Sequence, residues 1–309
     1  MTLRRLTLVQ GDITAAQVDV LVNAWNRNFI PYWLLIPQGV AGALRRRAGR
    51  VPFREVGRAG LLPLGGLVET SSGELSEVGA IFHVAALHAY WRSSERAVEL
   101  AAAEVFRRAE LRGVESLAIP LLGSGTGGVD PAASFRIIQK AWRDGPYRPG
   151  RTEIYVFESE VYIELLRGLG WEESFEHLKS GAFWDAHEGW EEIWSLLPES
   201  PAREAVQVLI QIAAACHKLD QAATREPAGM QRGMRALLVS AGEHLERARL
   251  PGSPEPGFSL SAVQKTLDEL HLVLEDWQGG QSIEELRGRA MALGAGLAGE
   301  ISGRPLLKC

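Results

Sequence analysis

Pro120-Leu121-Leu122-Gly123-Ser124-Gly125-Thr126-Gly127-Gly128-Val129-Asp130 is the stretch on which the reading of this chain turns. It follows a short apolar run, Ser116-Leu117-Ala118-Ile119, that reads as a buried strand. It precedes Pro131-Ala132-Ala133-Ser134-Phe135, which opens a helix with proline in its first turn. Strand, glycine loop and helix N-terminus together make an anion site. Glycines let the backbone approach the anion, unpaired N–H groups point at it, and the helix dipole favours its charge. The loop does not end in Gly-Lys-Ser/Thr and holds no lysine, so it is not a P-loop. It suits a diphosphate held by backbone amides. A plain structural turn is the competing reading of the loop taken alone.

The totals set bounds. A length of 309 residues suggests two domains, and 46% hydrophobic with 23% charged residues is ordinary for a globular protein. No apolar run reaches the ~18 residues needed to span a bilayer. The basic start leads into an apolar run too short for a signal peptide, and no small-residue cleavage site follows. The two cysteines, Cys216 and Cys309, supply no disulfide framework, so reduced thiols and a cytoplasmic location are expected. Residues 1–170 carry 20 Lys and Arg against 17 Asp and Glu, net +3, and residues 171–309 carry 13 against 21, net −8. The mild positive charge suits an anionic ligand. It falls short of the footprint of a nucleic-acid binder, so nucleic acid is not favoured.

Taken in order, residues 3–9 alternate apolar and polar and read as a strand. Asp12 follows, either to accept hydrogen bonds from an exocyclic amine or to cap the next turn. Residues 18–22 form a second, mostly apolar and therefore central strand. It runs into Asn23-Ala24-Trp25-Asn26, at the strand end where open α/β sheets bind ligands. The two asparagine amides either reach ribose hydroxyls or tie down the loop. Residues 29–36 pack aromatics and aliphatics around Pro31 and Pro37, which argues against a regular helix. They read as a hydrophobic flap over a ligand or as a patch for the other domain. Gly39 opens a helix whose Arg45-Arg46-Arg47 reads as a solvated face. Residues 60–69 read as a turn and strand, and residues 79–86 as an apolar strand with His83 as a core residue. Residues 95–112 are an amphipathic helix, and residues 153–157 are the last strand. Strands alternate with helices, which predicts a three-layer α/β domain.

Four separated motifs then fall into place: Gln10-Gly11-Asp12-Ile13-Thr14, Val22-Asn23-Ala24-Trp25-Asn26, Gly39-Val40-Ala41-Gly42-Ala43, and Ile119-Pro120-Leu121-Leu122-Gly123-Ser124-Gly125-Thr126-Gly127-Gly128. With them, residues 1–170 resemble a macro domain, an ADP-ribose-binding module with a mixed sheet between helices. The resemblance implies that Asp12 holds the adenine amine with Ile13 nearby, and that Phe157 stacks near the adenine. It implies that Asn26 faces the distal ribose as the candidate catalytic residue. Gly39 and Val40 would form one phosphate loop, and Gly123, Ser124, Gly125, Thr126 and Gly127 the other, with Gly11 also among the ligand-binding residues. Two departures stand out. Ile36-Pro37-Gln38 replaces the family's glycine run. Ala41 and Arg45 occupy the positions of the acidic residue and histidine found in the subgroup that removes ADP-ribose or deacetylates O-acetyl-ADP-ribose. Asp130 is the nearest acidic candidate, with a helix cap as its other role.

The character changes at Trp171. Helices are expected from Ser174, over residues 184–194, 204–219, 233–248, 261–277 and 283–297, with no strand: an all-α helical bundle over residues 171–309. His187, Glu191 and Trp194 share one helix face. The spacing lacks the second histidine of a zinc-protease helix, so a buried polar cluster of His187, Glu191 and Gln211 is expected, without a metal. Trp184-Asp185-Ala186-His187-Glu188, Glu191, Trp194 and residues 209–215 resemble the all-α domain of unknown function numbered 309. The expected ligand is ADP-ribose or an ADP-ribosylated macromolecule, with no cofactor and no membrane contact. Hydrolysis of the terminal ADP-ribosyl or O-acetyl ester bond is one reading. A non-catalytic ADP-ribose, nucleotide or RNA-end binding module with a helical partner-binding domain is the other.

Overall fold

A computed structural model describes residues 4–29, 39–88, 91–222, 224–251, 256–301, 304 and 306. The expected flap at residues 29–36 and the Ile36-Pro37-Gln38 departure therefore lie, but for Phe29, outside the described residues. The chain divides into two compact units, Met1–Tyr162 and Ile163–Cys309.

The first unit holds six strands: β1 (Arg5–Gln10), β2 (Val18–Trp25), β3 (Leu67–Ser71), β4 (Val78–Ala85), β5 (Ser116–Pro120) and β6 (Arg151–Val156). They lie in the order β1-β6-β5-β2-β4-β3. All pairings are parallel except β3 with β4, so the sheet is mixed. Parallel strands need helical crossovers, which cover both faces and bury the central strands on each side. One face carries Leu21, Trp25, Ile81, Ala85 and Ala118, packed with Leu44, Phe53 and Val56. Leu44 belongs to α1 (Gly39–Arg47), and Phe53 and Val56 to α2 (Val51–Gly57). The alternate residues Val20, Val22, Phe82, Leu117, Ile119 and Ile154 are buried on the opposite face. There α3 (Glu95–Arg112) packs on β4 and on α4 (Pro131–Asp144). The result is the expected three-layer α/β domain.

Local signals explain the helix ends. Ser94 accepts from Ala97 N and starts α3, and Gly113 stops it at φ 61°. Asp130 accepts from Ala133 N at 2.9 Å ahead of Pro131, and so starts α4. α5 (Ser159–Gly168) carries the division between the two units.

The second unit contains α6 (Trp171–Ser180), α7 (Phe183–Leu196), α8 (Pro201–Gln221), α9 (Pro227–Ala248), α10 (Leu260–Gln278) and α11 (Ile283–Ile301). Each packs on the next, and α11 returns to α6. A Cβ on Gly294 of α11 would lie 2.9 Å from the Leu178 side chain of α6, so that crossing depends on glycine. The apolar α8 touches four other helices of the unit and forms its centre. Several helix ends differ from the sequence expectation: α6 starts at Trp171 rather than Ser174, α8 at Pro201 rather than residue 204, and α11 runs to Ile301 rather than residue 297, while the largest difference is at α9. α9 begins at Pro227, capped by Glu226 Oε2 on Gly229 N at 2.9 Å, rather than at residue 233. Gly229 and Gly233 weaken the helical pattern, but proline at the first position and the acidic cap nucleate the helix before them.

Candidate functional site

The strand order sets the loops after β1, β6, β5 and β2 side by side, because all four strands are parallel. The register pairs Gln10 with Val156 and Pro120 with Tyr155, so these strands end at one level. Gly11-Asp12, Phe157, the glycine loop and Asn26 thereby line one edge of the sheet.

Asp12 is held by its own turn. Its Oδ1 accepts from Thr14 N at 2.9 Å and Thr14 Oγ1 at 2.7 Å, capping the 3₁₀ turn Ile13–Ala15. Arg47 donates to Thr14 Oγ1 at 3.0 Å and stands 3.8 Å from Asp12 Oδ2. The second oxygen of Asp12 thus keeps acceptor capacity, and its side chain is 40% exposed. Ile13 points into the core at 3% exposure, which leaves only its backbone at the edge. Gly11 has a φ of 149°, open space lies where a Cβ would stand, and its N–H bonds Val156 O at 2.9 Å. Phe157, next along from Val156, is 70% exposed. An aromatic ring left in solvent on the same sheet edge as an open carboxylate oxygen suits an adenine, whose face stacks and whose amine donates.

The glycine loop is braced from beneath and open above. Ser93 N donates to Gly127 O at 2.8 Å, and Ser93 Oγ donates to Ala86 O at 2.6 Å. A Cβ on Gly127 would lie 2.4 Å from Gly123 O, and Gly123 itself needs φ 73°. Ser124 Oγ is spent on Leu121 O at 2.9 Å. A Cβ on Gly125 would meet nothing within 4 Å. Among the described residues the N–H groups of Gly125, Thr126 and Gly127 have no acceptor. Consecutive free amides of this kind form an anion-binding nest. Gly39, at φ 54°, starts α1, and the first-turn amides of a helix likewise have no acceptor within it. Val40 and Ala41 pack on the core beneath.

A family model described as the Macro domain matches residues 22–138, and a second, described as a domain of unknown function, DUF309, matches residues 171–230. The macro domain-containing protein in the sno 5′ region of Streptomyces nogalater is 33% identical over 174 residues, covering 53% of this chain and 92% of that protein. A macro domain-containing protein of Listeria monocytogenes is 34% identical over 176 residues, covering 53% of this chain and 96% of the other. The chain belongs to the macro domain family. Among solved structures, the Trypanosoma brucei macrodomain in complex with ADP-ribose is 20% identical, covers 55% of this chain and 71% of that one, and has a TM-score of 0.47.

Within this macro domain the two asparagines part company. Asn26 is 9% exposed and its Oδ1 accepts from Asn28 N at 2.6 Å, which leaves Nδ2 without an acceptor among the described residues. Asn23 faces inward and reaches no ribose position: the strand's pleat turns it into the core. Its Nδ2 donates to His83 Nδ1 at 3.0 Å, so Nε2 keeps the proton and donates to Thr70 Oγ1 at 3.1 Å. That hydroxyl donates to Ser71 O, also at 3.1 Å. Trp25 and Phe53 lie edge-on to the imidazole, and burial pushes its pKa down to about 3. His83 is a neutral structural residue, as expected. Asn28 closes the loop after β2. At φ 60° it accepts from Trp25 Nε1 at 2.7 Å and donates to Val56 O and Gly60 O.

The expected solvated Arg45-Arg46-Arg47 face holds for Arg46 and Arg47, which are exposed, while Arg45 is half-buried. Arg45 lies over the Phe53 ring at 5.4 Å, and Arg47 is tied to Thr14. Long aliphatic stems let guanidinium groups pack on rings and turns where the charge pattern alone would leave them in solvent. Ser93, Asn28 and Arg47, which brace the site, lie outside the four motifs. Only the left-handed tolerance of asparagine could have marked one of them.

The helical unit carries its own polar group. Trp184 stacks on His187 at 4.6 Å and 9°, and meets His217 at 5.4 Å. His187 Nδ1 lies 3.6 Å from Glu188 Oε1 and 3.9 Å from Glu191 Oε2, with no hydrogen bond. Burial lowers the pKa of His217, partly offset by Asp220 at 3.8 Å. Gln211 turns to α9 and donates to Ser240 Oγ at 2.9 Å. Trp194 is covered by Arg203, 3.9 Å from its ring. Buried Cys216 has its thiol pushed up to about 12. No helix among the described residues is long and apolar enough to cross a membrane.

Proposed function

We propose that the macro domain binds ADP-ribose or a close derivative, free or carried on a modified macromolecule. The observation that carries this reading is the row of unpaired N–H groups at Gly125, Thr126 and Gly127, on the same sheet edge as exposed Phe157 and the open oxygen of Asp12. Adenine lies against Phe157 and donates to Asp12. The diphosphate takes the loop amides and the start of α1 at Gly39 and Val40, and Asn26 Nδ2 donates to the distal ribose.

Binding without chemistry is the stronger form of the reading. Ala41 and Arg45 offer no base, Asp130 is committed to capping α4, and the Asn26 carbonyl is committed to Asn28. Hydrolysis of an ADP-ribosyl or O-acetyl ester bond would rest on a water oriented by the diphosphate alone.

Calorimetric titration with ADP-ribose, beside ADP, AMP, NAD and a short RNA, tests the reading. Micromolar affinity for ADP-ribose, about −8 kcal/mol, is expected. It should weaken at least tenfold for AMP and for the Asp12→Ala variant. No heat with any nucleotide from folded protein would overturn the proposal, as would an RNA affinity that ADP-ribose fails to compete away. Product analysis after incubation with O-acetyl-ADP-ribose separates binder from hydrolase.

A further inference from the structure

We propose that α7 carries a site for a divalent first-row transition ion, built from His187, Glu188 and Glu191. The donor atoms of these three residues all lie within 4.8 Å of one another. Helical spacing alone brings out two of these ligands, too few for a metal, and a metal-free polar cluster is the expectation those two give. The third, Glu188, is adjacent in sequence to the histidine, where a helix would ordinarily turn it away, and its side chain folds back towards the imidazole.

The distances favour a shared ion over hydrogen bonding. His187 Nδ1 stands 3.6 and 3.9 Å from the two carboxylates, too far for a hydrogen bond. Ligands around a tetrahedral zinc with bonds of about 2.0–2.2 Å stand roughly 3.3–3.6 Å apart, so modest rotation of the glutamates closes the set. The Nδ1 atom is buried and has no hydrogen-bond partner among the described residues. A buried polar atom in that state is costly unless something binds it. Trp184, stacked flat on the ring, fixes the plane in which Nδ1 points.

A second buried acceptor without a partner among the described residues belongs to α8, the helix packed against α7. Trp184 meets His217, and Arg203 bonds the Trp194 carbonyl at 3.2 Å, which pins α7 and α8 antiparallel. Residues 187–191 therefore run past the stretch of α8 that holds Gln211. Gln211 is 8% exposed, and its buried Oε1 has no partner among the described residues. One imidazole and two carboxylates suit zinc or manganese, and three protein ligands leave coordination positions open to water.

The test uses full-length, untagged protein stripped with chelator and titrated calorimetrically with ZnCl₂ and MnCl₂. One ion per chain is expected with at least one of the two metals. His187→Ala should weaken it about tenfold or more, as should Glu188→Gln and Glu191→Gln, whose exposed side chains leave folding intact by circular dichroism. His177→Ala is the control: it removes a surface histidine with a single glutamate at 3.8 Å and should change nothing. Absence of saturable binding by folded protein would overturn the proposal, and so would unchanged affinity in both glutamate variants. Neither result depends on whether the macro domain binds ADP-ribose.

Discussion

Acid should destabilise the first unit through His83. The imidazole is fully buried between Asn23, Thr70, Trp25 and Phe53, and its pKa falls from 6.5 to about 3. Because the folded pKa is the lower one, the unfolded chain binds the proton first. Stability contributed by the neutral ring is full above pH 6.5 and is lost as pH falls from 6.5 towards 3. Linkage between those two values gives a loss of about 2 kcal/mol between pH 7 and pH 5. Urea unfolding at both pH values, followed by the backbone amide signals of β2 and β4, reports this unit alone. In His83→Gln, which keeps a polar group but cannot titrate, the loss between the two pH values should be smaller by about that amount. The ring signal of His83, assigned by comparison with the variant, should not move above pH 5. A His83 that titrates near 6.5 in folded protein would refute the reasoning, and so would an identical pH dependence in the variant.

The glycine loop separates folding from binding. Gly127→Ala places a Cβ 2.4 Å from Gly123 O and 2.8 Å from Ser93 Cβ, and should cost about 1–3 kcal/mol in urea unfolding. Gly125→Ala meets nothing within 4 Å, should leave stability within about 0.5 kcal/mol, and should still weaken ADP-ribose binding by crowding the anion's approach. Cys216, 1% exposed and with its thiol raised to about 12, should resist iodoacetamide in folded protein at pH 8 and react once urea unfolds the helical unit, as read by peptide mass.

Much of this protein is legible along the chain because it is local. A strand, a glycine loop and a proline-started helix follow one another between residues 116 and 144, and Asp130 caps the helix three residues on. The free amides of Gly125 to Gly127 follow from that local geometry. The α/β alternation and the helical second unit follow from periodicity of the apolar residues in the same way. Facing and pairing across distance are another matter. β2 is apolar on both sides, so its pattern cannot say that Asn23 turns into the core while Asn26 stays at the edge. That is decided by His83, sixty residues away, and by Asn28. Asp12 reads as a cap before it reads as a ligand, and the fold makes it the cap, with Arg47 steadying the turn and the second carboxylate oxygen left open. On α7, spacing finds His187 and Glu191, but only folded side chains bring in Glu188 and send Gln211 to Ser240. Local sequence specifies backbone conformation, because capping, turns and periodicity act within a few residues. Which polar atom ends up paired depends on what the rest of the chain packs against it.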